Sequence, residues 1–167
     1  IHQYGIPTIM YKPLKNEDFN AFALQARQRL NATLVATDAN GVKTLFKNLK
    51  QGGFSIILPD HVPQPSGGVV VPFFGIPCLT STLASKMAQK TQCRLVGLSC
   101  FRREDGEGFE VYCDDLNDPQ LYDADLEVAT TALNKAVEAM INRFPAEYMW
   151  GYKRFKWDVE QHPFKLI

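Results

Sequence analysis

The sequence has little of what would mark a metal-binding, disulfide-rich or membrane-spanning protein. Its four cysteines form no C-x-x-C pair and there are three histidines, so neither a zinc-ligand spacing nor a disulfide framework is visible. No apolar run approaches the roughly 18 residues that indicate a spanning helix, and no basic-then-apolar signal pattern is present. We therefore expect a soluble or peripheral chain with no metal site, whose cysteines are reduced, buried thiols.

Net charge is also absent. Eighteen basic residues balance eighteen acidic ones, so no global field draws the chain to nucleic acid or lipid, and any such attraction must be local. With 46% hydrophobic and 22% charged residues, the composition is that of a globular protein. A chain of this size buries roughly 70% of its unfolded surface, so we expect a single domain over residues 1–167.

The order of the hydrophobic patterns predicts an α/β fold. A mixed, mostly parallel sheet flanked by helices is expected, with a terminal hairpin and a long C-terminal helix. Asn16 and Thr80 are the expected N-caps of two of the helices. The predicted strands are 7–11, 33–36, 54–58, 69–73 and the hairpin 94–101 with 108–113, and the predicted helices are 17–30, 42–49, 80–90 and 124–144.

The most informative segment is 53–75, GFSIILPDHVPQPSGGVVVPFFG, which joins an apolar run to a polar loop. Phe54 to Leu58 is almost continuously apolar, as expected of a strand covered on both faces. Asp60 and His61 follow its carboxyl end, where open α/β sheets bind ligands. An acid after a strand is more often a cap or turn former than a functional group, so both interpretations stay open.

A second informative segment, PAEYMWGYKRFKW at 145–157, mixes aromatic rings with cations. This mixture suits a membrane interface, a phosphorylated head group or a single-stranded nucleic acid. The alternative is a terminal segment whose aromatic side chains dock on the core while its cations stay in water. Nucleic-acid binding is disfavoured because the net charge is zero and no single-strand-binding motif is present. The residues in question are Trp150, Lys153, Arg154 and Lys156.

Four patches follow one another along the chain: YKPLKN with ARQRL, LPDHVPQPSGGVVVPFFG, TTALNKAVEAMI and PAEYMWGYKRFK. In this order they resemble the lauroyl/myristoyl acyltransferases of lipid A biosynthesis, a branch of the lysophospholipid acyltransferase superfamily. The resemblance covers nearly the whole chain. It implies a glycerolipid acyltransferase-like fold and transfer of a fatty acyl chain from acyl carrier protein to a hydroxyl of a lipid A precursor, at the cytoplasmic face of a Gram-negative inner membrane.

The resemblance also implies roles for particular residues. Arg27 and Arg29 match the family's arginine motif, and Asp60, next to His61, lies where the superfamily keeps an acid near the acceptor phosphate. The implied partners are an acyl carrier protein thioester as donor, a lipid A precursor and the inner membrane surface, with no cofactor and no nucleic acid. The family's basic terminal signature is matched at Lys153, Arg154 and Lys156, although Gly151 and Tyr152 depart from the usual residues, and Trp150 is expected beside them at the membrane or head group.

The superfamily's catalytic pair, a His followed five positions later by Asp or Glu, is absent from this sequence. Five positions after His2, His61 and His162 stand Pro7, Ser66 and Ile167. In the family, the carboxylate orients the imidazole that deprotonates the acceptor hydroxyl. We therefore expect no catalytic residue here, and interpret the chain as the C-terminal portion of an acyltransferase, inactive alone. The alternative is a non-catalytic lipid- or membrane-surface-binding module on the same scaffold.

Overall fold

The computed structural model describes residues 5–12, 16–28 and 31–156. The chain divides into two compact units, residues 1–58 and residues 59–167. Among the described residues, the first unit contains a parallel pair of strands and two α-helices, and the second contains two antiparallel hairpins, two α-helices and three short 3-10 helices. No helix in these ranges is both long and apolar enough to cross a membrane.

The first unit begins with a strand–helix–strand arrangement. Strands β1 (Thr8–Tyr11) and β2 (Thr33–Ala36) pair in parallel. Helix α1 (Glu17–Gln28) lies between them in the chain, because parallel neighbours need a crossover connection. The backbone N–H of Phe19 donates to Oδ1 of Asn16 at 3.0 Å, so the predicted N-cap is confirmed.

Helix α2 (Ala39–Lys50) begins three residues before the predicted start at 42, because Asp38 caps it. The side chain of Asp38 accepts a hydrogen bond from the N–H of Gly41 at 2.8 Å. A Cβ atom at Gly41 would lie 1.8 Å from the carbonyl oxygen of Ala36. Only glycine therefore lets the first turn of α2 approach the end of β2 this closely.

The prediction of a buried strand over Phe54–Leu58 is wrong. Within the described residues the run makes one bridge, between Ser55 and Thr8 of β1. The side chains of Ile56 and Leu58 are 37% and 61% exposed, and residues two apart share a side of an extended chain. An apolar run indicates a tendency to be buried, but it does not specify which strands would pair with it and bury it.

The second unit starts with the hairpin of β3 (Gly68–Phe73) and β4 (Ile76–Ser81). Its turn residues Phe74 and Gly75 have φ angles of 50° and 75°, as a two-residue turn of the I′ kind requires. A positive φ is uncommon for a bulky residue such as Phe74. The N–H of Phe74 donates to Oε1 of Glu138 at 2.7 Å, and this bond holds the turn in place.

Thr80 does not cap a helix as predicted but lies in β4, opposite Val69 of β3. Helix α3 (Leu83–Thr91) begins after Thr82. The hydroxyl of Thr82 donates to the carbonyl oxygen of Gly67 at 3.2 Å instead of capping the helix. Three hydroxyl residues follow one another at 80–82, and the hairpin ladder decides which of them leaves the strand.

The second hairpin and the long helix that follows it are confirmed. Strands β5 (Leu95–Arg102) and β6 (Phe109–Leu116) pair in antiparallel register, and helix α4 (Leu126–Arg143) follows them in the chain. The N–H of Glu127 donates to Oδ1 of Asp125 at 2.8 Å, which caps α4.

The two faces of the β5–β6 hairpin differ. Gly97 and Phe101 on one face are buried, and a Cβ at Gly97 would meet Sδ of Met140 at 2.6 Å. Cys100 and Cys113 are exposed, so the expectation of buried thiols is wrong for both, because side chains alternate along a strand and α4 covers one face. The other exposed apolar residues of the hairpin are Val96, Leu98, Phe109 and Val111.

The α/β class and the long C-terminal helix are confirmed, but the mostly parallel sheet is not. The described strands form three two-stranded sheets, of which β1–β2 is parallel and the other two are antiparallel. Periodicity predicts strands and helices, whereas the choice of pairing partner depends on distant parts of the chain. In the second unit, a core cluster contains Phe73, Cys78 and Ile141, and Tyr148 and Phe155 pack against it.

Candidate functional site

The loop of residues 59–67 is fixed at its end by contacts with the first residues after β4. The carbonyl oxygen of Gly67 accepts hydrogen bonds from both the N–H and the hydroxyl of Thr82, at 3.1 and 3.2 Å. A Cβ atom at Gly68 would lie 2.6 Å from the carbonyl oxygen of Thr80. The glycine therefore permits the close approach that seats the loop on β4.

Two tyrosines from residues 145–156, here named the C-terminal segment, contact the beginning of this loop. The hydroxyl of Tyr148 donates to Oδ2 of Asp60 at 2.9 Å. The hydroxyl of Tyr152 accepts from the N–H of Val62 at 2.9 Å, and its ring centroid lies 5.3 Å from that of His61. Three consecutive loop residues thus each contact a tyrosine that is about ninety positions away in the chain.

The environment of Tyr148 keeps its phenol neutral. Burial raises the pKa of Tyr148 far above its ordinary value, and the charge of Asp60 and their hydrogen bond raise it further. The positive charge of Arg154 acts in the opposite direction but is the weaker influence. Tyr148 is therefore a hydrogen-bond donor to the Asp60 carboxylate throughout the physiological pH range.

Arg154 is buried, with 3% of its surface exposed, and it fixes the C-terminal segment to β4. Its Nη1 donates to the carbonyl oxygen of Leu79 at 2.6 Å, and its Nη2 donates to Oγ1 of Thr80 at 2.7 Å. The guanidinium carbon lies 5.2 Å from the centroid of the Phe73 ring. In the part of the chain that the structure describes, no carboxylate pairs with this guanidinium, and its Nε has no hydrogen-bond partner.

The hydroxyl of Thr80 is the meeting point of this network. It accepts from Arg154 and also from Nδ2 of Asn134 in α4, at 3.1 Å. The same Asn134 nitrogen lies 2.8 Å from the carbonyl oxygen of Pro72 in β3. Both Thr80 and Asn134 are buried, so these bonds satisfy polar groups that would otherwise be costly to bury. The Thr80 hydroxyl thus links β4, α4 and the C-terminal segment, and Asn134 extends the network to β3.

The free thiol of Cys78 lies in the same region and is buried in the core cluster. Burial raises its pKa, and the hydrogen bond with Thr80 lowers it by less. The protonated thiol packs as a small apolar group in the core. Over residues 5–12, 16–28 and 31–156, no group of three or more His, Cys, Asp or Glu side chains could hold a metal ion.

A cleft of about 290 Å³ runs along the C-terminal segment. Its walls include the rings of Phe73, Tyr148 and Trp150, and Lys153 and Lys156 also line it. The Trp150 side chain is 53% exposed although its Nε1 donates to a backbone carbonyl at 2.7 Å. Aromatic walls with cations beside them suit a ligand that has an apolar part and an anionic part.

The structure brings together some of the sequence-predicted site residues and leaves others untested. Asp60 and His61 lie against the C-terminal segment. Arg27 lies in α1, and Arg29 lies outside the described residues. The convergence of these two arginines with Asp60 stays a prediction.

The two interpretations of the C-terminal segment each describe part of it. Trp150, Lys153 and Lys156 are exposed, as a head-group or membrane contact requires. Arg154 is buried, contrary to the expectation that it contacts head groups. Its guanidinium donates hydrogen bonds to Leu79 and Thr80 in place of water, which makes this burial possible. The segment is therefore docked on the core on one side and exposes aromatic and basic side chains on the other.

Sequence reasoning missed the residues that hold the site together. Tyr148 and Tyr152 stood out as aromatic neighbours of cations but not as partners of the loop. Asn134 has a signal in the sequence, because it is an amide within the apolar pattern of TTALNKAVEAMI, and the structure shows it buried in α4. Thr80 has none, because a threonine before a helical pattern has the features of an N-cap.

Comparisons with known proteins point in one direction. The family described as bacterial lipid A biosynthesis acyltransferase matches residues 1–157. A lipid A biosynthesis lauroyltransferase of Escherichia coli (strain K12) is 31% identical over 156 residues, which are 92% of this chain and 50% of that protein. A lipid A biosynthesis palmitoleoyltransferase of the same organism is 24% identical over 149 residues, 87% of this chain and 47% of that protein.

A third relative, from another organism, is covered to a similar extent. A lipid A biosynthesis acyltransferase of Haemophilus influenzae is 27% identical over 161 residues, 93% of this chain and 49% of that protein. The chain thus spans about half the length of the curated relatives it matches.

Proposed function

Because the chain belongs to the bacterial lipid A biosynthesis acyltransferase family, we propose that it is part of an enzyme that acylates a lipid A precursor. The donor is an acyl carrier protein thioester, and the acceptor is a hydroxyl of the precursor. The observation that carries this proposal is the family match over residues 1–157, which takes in both the loop of residues 59–67, here named the Asp60 loop, and the C-terminal segment.

The reaction transfers an acyl group from the thioester sulfur of the donor to the hydroxyl oxygen of the acceptor. A base removes the proton from the acceptor hydroxyl as its oxygen attacks the thioester carbonyl, and the carbon–sulfur bond then breaks to release the carrier thiol, which takes up a proton. In the superfamily that the sequence resembles, the base is a His supported by Asp or Glu, and no His in this sequence is followed five positions later by either residue. This chain contributes acceptor binding, not the base.

The binding residues divide by the chemistry they offer. Arg27 and Arg29 hold phosphate or carboxylate groups through charge-assisted, bidentate bonds. Asp60 and His61 lie at the acceptor. Trp150, Lys153 and Lys156 contact lipid head groups at the cytoplasmic face of the inner membrane, where exposed aromatic and basic side chains are both favourable.

A non-catalytic lipid-binding module is the second candidate, and one observation favours it. Met149 and Trp150 are 75% and 53% exposed beside two lysines, which suits binding to a lipid surface without any chemistry. The parent reading frame discriminates between the two functions. An H-x-x-x-x-D/E sequence upstream supports the enzyme, and its absence supports the module. The activity test is acyl transfer by the full-length protein.

A further inference from the structure

Two hydrogen bonds and one ring contact join the Asp60 loop to the C-terminal segment, and we name this set of contacts the brace. Asp60 and Val62 are each hydrogen-bonded to a tyrosine hydroxyl, and the His61 ring lies against one of those tyrosines. Both tyrosines, Tyr148 and Tyr152, come from the same short stretch. The loop therefore depends on this stretch for the orientation of three successive residues.

The stretch that carries the two tyrosines is itself fixed. Arg154, two residues after Tyr152, is bonded to Leu79 and Thr80 of β4 and has almost no exposed surface. Phe155 lies 6.1 Å, centroid to centroid, from the buried Phe73. Strand β4 and the buried ring of Phe73 thus fix the residues that follow Tyr152. The hydroxyls of Tyr148 and Tyr152 in turn fix the loop through their hydrogen bonds.

The hydrogen bond from Tyr148 leaves part of Asp60 available. It occupies Oδ2, and Oδ1 makes no hydrogen bond to the described residues. Because Tyr148 is neutral, it orients the carboxylate without cancelling its charge. A carboxylate held by one oxygen presents the other in a fixed direction, which is what a hydroxyl or amide group of a ligand needs in an acceptor.

We propose that Tyr148 and Tyr152 are positioning residues that orient Asp60 and His61 toward the acyl acceptor. The inference rests on the proposed function for its reaction, but the brace itself is a property of this chain. Neither tyrosine touches the reacting atoms. Their effect is transmitted through the carboxylate of Asp60 and through the backbone of Val62.

The first experiment tests the brace without any activity. Amide hydrogen exchange is measured on this chain and on Tyr152→Phe, which keeps the ring but removes the hydroxyl that accepts from Val62. We expect exchange at Val62 to become about tenfold faster. Tyr122→Phe is the matched control, because it removes a hydroxyl bonded to the carbonyl oxygen of Cys93 at 3.1 Å and should leave Val62 unchanged. Unchanged exchange in Tyr152→Phe overturns the brace.

The second experiment tests positioning in the full-length enzyme. Tyr148→Phe keeps the ring contact with Trp150 at 4.9 Å and removes the bond to Asp60. We expect the KM for the lipid acceptor to rise and kcat/KM to fall about tenfold, with the KM for the acyl donor unchanged. A merely structural role would lower stability without separating the two substrates, as Tyr122→Phe should.

A double variant decides whether Tyr148 acts through Asp60. If it does, Tyr148→Phe adds no further loss to that of Asp60→Asn. Additive losses, or a Tyr148→Phe enzyme as active as the unaltered one, overturn the positioning role and leave the proposed function standing. If the unaltered full-length protein transfers no acyl chain, the proposed function fails, and the exchange measurement still decides whether the brace exists.

Discussion

The hydroxyl of Tyr148 donates a 2.9 Å hydrogen bond to Asp60, a residue 88 positions earlier in the chain. This bond joins the two segments that stand out most in the sequence, the loop after the apolar run and the aromatic-basic C-terminal segment. Those segments belong to one site in the second unit.

The raised pKa of Tyr148 makes stability sensitive to alkaline pH. The neutral phenol is favoured in the folded state, so the associated stability is complete below the ordinary pKa of 10.0 and is lost as pH rises through the higher folded value. Between pH 10 and 11 we expect the unaltered chain to lose on the order of 0.5 kcal/mol more than Tyr148→Phe, a figure reduced for solvent screening. Urea unfolding across this range measures the difference. If the free energies of unfolding of the two proteins change with pH in parallel, Tyr148 is not a buried hydrogen-bond donor with a raised pKa.

Arg154 is expected to support stability instead of binding lipid. Arg154→Ala leaves the buried carbonyl of Leu79 and the hydroxyl of Thr80 without their charged donor, and should lower the free energy of unfolding by about 3 kcal/mol. The neighbouring Lys153→Ala is the control, since its side chain is exposed and should change stability by less than about 0.5 kcal/mol. Equal effects of the two substitutions in urea unfolding would contradict the stabilising role of Arg154.

The exposed lysines of the C-terminal segment should carry any attraction to anionic membranes. Replacing Lys153 and Lys156 together by Ala should weaken binding to phosphatidylserine-containing vesicles by roughly 1 kcal/mol per charge, and added salt should shrink the difference. Replacing Lys90 and Lys135, which are also exposed, removes the same charge from other parts of the chain. A loss of the same size with that control pair would mean that binding depends on net charge and not on this surface.

The arginine motif, Arg27 and Arg29, is predicted to bind an anionic group of a substrate. In the full-length enzyme, Arg29→Lys should cost on the order of 2 kcal/mol in kcat/KM and leave the melting temperature nearly unchanged, because lysine cannot copy a bidentate guanidinium bond. Arg103→Lys, which alters an exposed arginine paired with Asp105, should leave the activity as it is. Normal activity of Arg29→Lys would remove Arg29 from the site.

Local signals in the sequence were sufficient for much of the fold. Asn16 caps α1 because an Asx side chain can reach a nearby N–H, and the acidic stretch at 104–107 separates two alternating strands of a hairpin. Such features depend on neighbours within a few residues. For that reason β2, the β5–β6 hairpin and α4 were predicted close to their observed limits.

Long-range pairing and burial could not be read in the same way. Phe54–Leu58 was apolar enough for a buried strand, but within the described residues only Thr8 bridges it. Arg154 was predicted to contact a head group or to stay in water, and its burial could not be read from the sequence because the acceptors that compensate for burying a guanidinium lie in β4, about 75 positions away. The Asp60–Tyr148 bond was missed for the same reason: neither residue carries a local sign of its partner.

Acyl transfer by the protein is the decisive measurement for the proposed function. An acyl carrier protein thioester and a lipid A precursor are incubated with the full-length protein or with the 167-residue chain. The proposed function predicts transfer by the full-length protein and none above background by the chain alone, because the general base by itself supplies a factor of about 10² to 10⁴. Robust turnover by the chain alone, or no transfer by the full-length protein, would contradict it.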